Sequence, residues 1–345
     1  MPAAQTSIDW GSSVTCSWRV MEVDPATWAD SMEVSGARSG SVTRDATGRL
    51  LESGTVEVES DAPAAAERWA RIEVLAVQGA LMERHALATL LLVPSPSKVR
   101  RGGRVASYEG RSVLRPCEDR KMLAGSYAPK GADGAAWAAR LLAGSTPAPV
   151  SADGSFELSD NIVFARKTSY LEAAWTVVEA AGWCIQVDGW GRVAVRKKPV
   201  QPALLLDRAG ARLLGPEVES DDGLADVPNR VTAWDGSEQG QAVDERAGVP
   251  TSYKERGRYV DEVDDSPKRV GGESVQAYAE RRLAELTEVA GTRSYERAWW
   301  PGVTVFDMVR GGLAEADLVG DMRVRSQSLQ LGAGISVTEE VEVLR

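Results

Sequence analysis

Short runs of alternating polarity, cut every few residues by Gly, Ser, Asp or Pro, constrain what this 345-residue chain can fold into. Val14 to Val20, Gly54 to Glu59 and Arg71 to Val77 are such runs. Period-two alternation sends one set of side chains into a core and the other into solvent. Asp45-Ala-Thr-Gly48 is a turn signal. Several short strands joined by turns predict a barrel or sandwich. The segment from Pro94 to Gly110 reads as a break, with Pro94, Pro96, Gly102, Gly103 and the basic run Lys98, Arg100, Arg101 and Arg104.

Helical spacing follows. Asp133 is a plausible N-cap for an Ala-rich helix through Trp137, Leu141 and Leu142, closed by Gly144 and Pro147. Thr168 or Ser169 caps a second helix, with Leu171, Trp175 and Val178 on one stripe and Gly182 as its stop. A hairpin comes next: Trp183 to Val187, the turn Asp188-Gly-Trp-Gly191, then Arg192 to Arg196. Gly189 and Gly191 can supply the positive φ angles of such a turn. Asn229 to Gly236 reads as one strand running into a turn. Residues 236–272 read as a long polar loop or hairpin excursion, acidic from Asp261 to Asp265. Ser274 opens an amphipathic helix carrying Val275, Ala279, Leu283, Leu286 and Ala290. Strands are predicted at Arg297 to Trp300, Val303 to Val309, Asp321 to Leu331 and Gly334 to Leu344.

The composition narrows the function. The net charge is −10, from 40 basic and 50 acidic residues, which disfavours general nucleic-acid binding. No apolar run approaches the roughly 20 residues of a membrane span, and no signal peptide is expected at the N-terminus. The three cysteines, Cys16, Cys117 and Cys184, are far apart and include no C-x-x-C, so neither a disulfide framework nor a zinc site is expected. The single histidine, His85, stands in no nucleophile motif and is expected to be structural or exposed. Gly189-Trp-Gly-Arg-Val-Ala194 matches G-x-G-x-x-A. A β-branched strand follows it where a dinucleotide site needs a helix, so it reads as a hairpin turn. The acidic groups Asp221-Asp222 and Asp261 to Asp265 could serve a glycosidase or a calcium site, but they match no calcium-loop pattern and read as solvated loops. The basic run from Lys98 reads as a solvated loop, with a subunit contact or a place near passing DNA as the alternative. Eleven tryptophans stand beside three phenylalanines. Trp299-Trp300, if in a strand, would face opposite sides, one toward a core and the other outward to a partner, with the alternative that both faces are covered within the chain.

Three pieces, in this order, resemble the tail-hub (baseplate-hub) family of tailed phages. They are SVTRDATGRLLESGTVEVES from Ser41 to Ser60, SYLEAAWTVVEAAGWCIQVDGWGRVAVRKKP from Ser169 to Pro199, and the helix VQAYAERRLAEL with the strands through DMRVRSQSLQLGAGISVTEEVEV. Each piece alone is weakly specific, and the order spans nearly the whole chain. The resemblance implies an α+β, β-rich fold: two β-barrel tube-type domains with a small α/β (helix plus hairpin) insertion. The first barrel is expected from 1–107 plus 215–240, with its return near Asn229 to Trp234. The insertion is expected at 108–214, and the second barrel at 241–345 with the helix 274–290.

The resemblance also implies a role. Hubs of this family are homotrimers whose six barrels form a pseudo-six-fold ring. They adapt a six-fold tail tube to a three-fold tip and leave a channel for DNA. The implied partners are further copies of the chain, a distal tail protein or tail tube, a tape-measure protein, and tail fibre or receptor-binding proteins. DNA is met only in transit, and no stable membrane association is expected. The implied location is the virion tail tip, after synthesis in the bacterial cytoplasm. The chain is expected to be no enzyme, with no catalytic residue, cofactor or metal. Any cell-wall hydrolase or receptor binder is expected to be another protein. Trp299 and Trp300 are the interface candidates. Two alternatives stand beside this: a distal tail or adaptor protein, and a cell-wall carbohydrate-binding module or hydrolase.

Overall fold

In the computed structural model, residues 7–59, 66–100, 103–206, 218–221, 224–332 and 334–344 are described. Among them are twenty-one strands and five α-helices. Thirteen strands form one sheet. From one edge it runs Glu219–Asp221, Val289–Ala298, Ile335–Leu344, Leu318–Leu331, Ala37–Asp45, Glu52–Glu59, Gly103–Ser112, Leu81–Arg100, Arg68–Gln78, Thr15–Val23 and Asp30–Glu33. Met308–Leu313 and Pro202–Leu206 branch from it beside Leu318–Leu331. The expected β-rich class is therefore seen, with the strands of both chain ends joined in a continuous sheet.

The join is one long strand. Leu318 to Arg323 pairs with Met308–Leu313, while Ser326 to Leu331 pairs with Gly40 to Asp45. Ile335–Leu344 lines its other side almost throughout, with a register shift between Val324 and Ser326. An extra residue at such a shift twists a strand locally. Here Arg325 turns the strand from one neighbour to the next, and its carbonyl accepts from the Ala46 N–H at 2.8 Å.

The segment from Pro94 to Gly110 is not a break. Leu81–Arg100 and Gly103–Ser112 form a long antiparallel hairpin. Among the described residues, pairing to the strand on the other side ends at Leu92, so Pro94 and Pro96 have one neighbouring strand there and proline is tolerated. The register also shifts between Ser95 and Lys98. The side chains of Lys98, Arg100, Arg101 and Arg104, and Asp222, lie outside the described residues.

A short helix that the sequence reading does not expect, α1, is Arg115–Asp119 and has no side-chain cap hydrogen bond. The expected helices fall where their caps predict. α2, Gly134–Ala143, is capped by Asp133, whose carboxylate accepts from the Ala135 and Ala136 N–H groups. α3, Tyr170–Ala180, is capped by Ser169, and Gly182 ends it at φ 68°. The hairpin Trp183–Val187 with Val193–Lys197 follows, extended by Val150–Asp153 in parallel. A two-stranded sheet, Ser126–Ala128 with Ile162–Phe164, completes this α/β region.

Residues 236–272 are more ordered than a loop. Arg230–Asp235 pairs with Glu238–Val243 and, in parallel, with Asp261–Asp264. The return of the first barrel expected near Asn229 to Trp234 is therefore not seen, because Arg230–Asp235 finds both its partners in this separate three-stranded sheet. α4, Tyr253–Arg256, lies in the connection. α5, Val275–Thr287, capped by Ser274, covers one face of the small sheet through Val275, Tyr278, Ala279 and Leu283 against Val231 and Ala233. It was expected with the second barrel.

Two large cores result. One lies under the N-terminal strands, around Val42, Val56, Ile72, Val74, Leu90, Leu329 and Val337. The other joins the α/β region to the C-terminal strands, around Leu142, Leu171, Trp175, Ile185, Val309, Val324 and Val341.

Candidate functional site

Three junctions hold the parts together. The first is a polar belt between the two large cores. Along Leu318–Leu331 the inward residues run Val324, Gln327, Leu329; along Ile335–Leu344 they run Val341, Glu339, Val337. In both, a buried polar residue stands where the strand passes from one core to the other. Tyr295, Arg297 and Trp299 repeat the pattern, as do Ala46, Arg44 and Val42.

These polar groups satisfy one another. Arg297 grips Glu339 with two nitrogens, at 3.2 and 2.6 Å. The Tyr295 hydroxyl donates to Glu339 at 2.6 Å, and the Gln327 amide does so at 2.6 Å. Gln327 accepts in turn from Arg44 at 2.9 Å, and Arg44 donates to Glu52 at 2.9 Å. Arg44 also donates to the Leu87 carbonyl. Burial would raise the Glu339 carboxyl, but Arg297 and the hydroxyl and amide donors hold it below the ordinary carboxylate range. Glu52 goes the other way. Its burial outweighs Arg44 and pushes it up to about 7, and its Oε2 has no hydrogen-bond partner among the described residues. Sequence reading missed this belt, although Glu339 occupies an inward position in an otherwise apolar alternation.

The second junction is the hairpin turn Asp188 to Gly191, docked against the N-terminal strands. The Trp190 ring lies between Arg71 and Arg84, 4.9 and 5.3 Å from their guanidinium carbons. Thr89 donates to the Gly189 carbonyl at 2.9 Å, and the Trp28 indole N–H to the Trp190 carbonyl at 2.8 Å. Gly191 has φ 72°, as the turn requires. Gly189 serves a different need: a Cβ there would stand 2.0 Å from the Ala86 carbonyl oxygen. The G-x-G-x-x-A match is thus a docked turn followed by a strand.

The third is an aromatic corner. Val289–Ala298 ends just before Trp299, so the expected strand does not run through Trp300, although Trp299 still falls on the inward side of the alternation that Tyr295 and Arg297 begin. Trp299 is buried, edge-on to Trp10 at 5.6 Å and to His85 at 5.8 Å. Trp300 is half-buried, 6.1 Å from Trp10. A cavity of about 260 Å³ is lined by Trp10, Cys16, Arg297, Trp299, Trp300 and Ile335, among others. His85 lies 3.1 Å from Glu83.

The remaining sequence candidates disperse. Asp261 binds Arg230, and Asp264 accepts from the Tyr278 hydroxyl. Asp221 lies on an edge strand at the far side of the large sheet. Burial pushes the Cys117 and Cys184 thiols up to about 12. Among the described residues no group of three or more His, Cys, Asp or Glu side chains is placed to hold a metal ion. No helix among them is long and apolar enough to cross a membrane.

No protein-family model matches the chain, and no curated protein matches its sequence. Its fold is similar to that of a tail protein from Neisseria meningitidis MC58. The TM-score is 0.69 at 12% identity, over 94% of this chain and 96% of that one. It is similar to the prophage MuSo2 43 kDa tail protein from Shewanella oneidensis, with TM-score 0.67 at 12% identity over 94% and 98%. The prophage tail protein gp18 from Listeria monocytogenes EGD-e follows at 0.56 and 8% identity, over 93% and 94%. The likeness runs through nearly the full length of each chain, and so this chain has the fold of these tail proteins.

Proposed function

We propose that the protein is a structural, non-enzymatic subunit of a phage tail that acts as the trimeric hub of the tail tip. The observation that carries this is the similarity to three tail proteins over more than nine-tenths of each chain. In this reading the N-terminal and C-terminal portions of the large sheet are the walls of two tube-type barrels. Three copies present six such units, which adapts a six-fold tube to a three-fold tip and leaves a channel for DNA. The mechanism is geometric and needs no reacting group. The polar belt serves it by fixing the angle between the two portions, since a buried ionic network tolerates one register of its strands far better than a slipped one.

The partners in this reading are two further copies, a distal tail protein or the tail tube, a tape-measure protein, and fibre or receptor-binding proteins, all at the virion tail tip. Trp300, half-buried at the cavity, is the member of the tryptophan pair available to a neighbour, while Trp299 is occupied by Trp10 and His85. Light scattering and negative-stain imaging test the reading. A ring-shaped trimer near three times 37.0 kDa is expected. A strict monomer both in solution and in isolated tails would overturn it.

A further inference from the structure

The two-stranded sheet of the α/β region buries one face and leaves the other bare. Ala128, Ile162 and Phe164 point into a small core with Ala173 and Val177 of α3. Tyr127 and Val163, directly paired across the strands, point outward. They are 57% and 76% exposed, and Leu123 beside them is 89% exposed. The Leu123 carbonyl accepts from Arg166 Nε at 3.3 Å, which ties this leucine to the second strand's end.

Cations follow both strands, Lys130 two residues after Ala128 and Arg166 and Lys167 two and three after Phe164. Lys130, Arg166 and Lys167 are all exposed, and none is in an ion pair among the described residues. Their neighbours differ. Lys121 is held by Glu118, and the nearby Asp160 is taken by Arg269. Glu157, beside Gly131, borders the patch on the Lys130 side. Aromatic and aliphatic anchors followed by unneutralised cations are the makings of a protein interface that selects a carboxylate-bearing partner. The chain supplies such a partner itself, with 50 acidic against 40 basic residues.

We infer that this face of the two-stranded sheet is a contact between copies of the chain, with Leu123, Tyr127 and Val163 seated on a carboxylate-rich surface of the neighbouring copy and Lys130, Arg166 and Lys167 pairing with its acids. The inference rests on the trimeric reading above and locates one of its contacts. The contact weakens with added salt, because the flanking charges are exposed.

Two measurements on the full chain test it. Sedimentation velocity compares the wild type with Lys130→Glu/Arg166→Glu and with Tyr127→Ser/Val163→Ser. All four positions are exposed, so circular dichroism should show unchanged folding. Association weaker by roughly tenfold or more is expected for both variants. Zero-length carbodiimide cross-linking of a mixture of isotopically light and heavy copies should join Lys130 or Lys167 to a carboxylate of the other copy. A trimer that both variants leave intact, with no such cross-link, overturns this contact and leaves the trimer standing. A wild type that stays monomeric at every concentration overturns the contact as a self-interface, and the trimer is then judged on isolated tails. Binding to anionic vesicles without self-association would reassign the face to a lipid surface.

Discussion

Glu339 is wholly buried and stays ionised because three side chains donate to it. Glu339→Gln would leave the Arg297 charge buried without its counter-ion, and removing one partner of a buried pair costs about 3–5 kcal/mol. Urea unfolding at neutral pH measures this. The pH dependence follows from the same group. Its folded carboxyl titrates below the ordinary value of 4.5, so its contribution is complete above that value and is lost as pH falls through the folded one. The wild type should lose more stability on acidification than the variant. Glu52 has the opposite sign. Its folded carboxyl is raised to about 7 from 4.5, so the unfolded chain releases this proton first as pH rises. Stability should fall between those two values and then level, and Glu52→Gln should remove that fall in melts taken across the window. Alternation made the inward position of Glu339 legible. The role was not, because the partners Arg297, Gln327 and Tyr295 come from other strands and only pairing brings them together.

Elements were legible where the cue was local. Asp133, Ser169 and Ser274 each cap the helix expected of them, and Gly182 ends α3. Elements decided by pairing were not. Asp261–Asp264 looks like a solvated acidic run, yet Arg230 beside Asp261 and Tyr278 beside Asp264 make it an edge strand. The prolines at 94 and 96 look like a break and are tolerated because that stretch has one neighbouring strand among the described residues. The docked turn sits between these cases: its glycines announce a hairpin, but the surface it meets is more than a hundred residues away in sequence. Gly189→Ala tests that docking. Its methyl group would strike backbone, and forced overpacking typically costs about 1–3 kcal/mol. Amide exchange of the 183–197 hairpin should rise in this variant, while exchange in the three-stranded sheet under α5 should not.

Across the whole molecule, Leu318–Leu331 belongs to both portions of the large sheet. Neither portion can lose it and remain paired as it is, so the N-terminal and C-terminal strands should unfold together in one calorimetric transition, with matching van't Hoff and calorimetric enthalpies. Two transitions separating 15–112 from 289–344 would count against that coupling. The sequence placed strands at both ends of the chain. It could not show them joined, because the join depends on a bulge at Arg325 that redirects one strand. The outer margins of the same sheet carry a different consequence. Two of them end in a short strand bearing two acidic residues, Asp30 and Glu33 on one side and Glu219 and Asp221 on the other, and the branch edge Pro202–Leu206 is short and opens on a proline. Short, charged edges are poor templates for another chain's backbone. A concentrated stock of free subunits should therefore stay clear of fibres for long periods, and growth into a larger object would have to wait for contacts made by side chains.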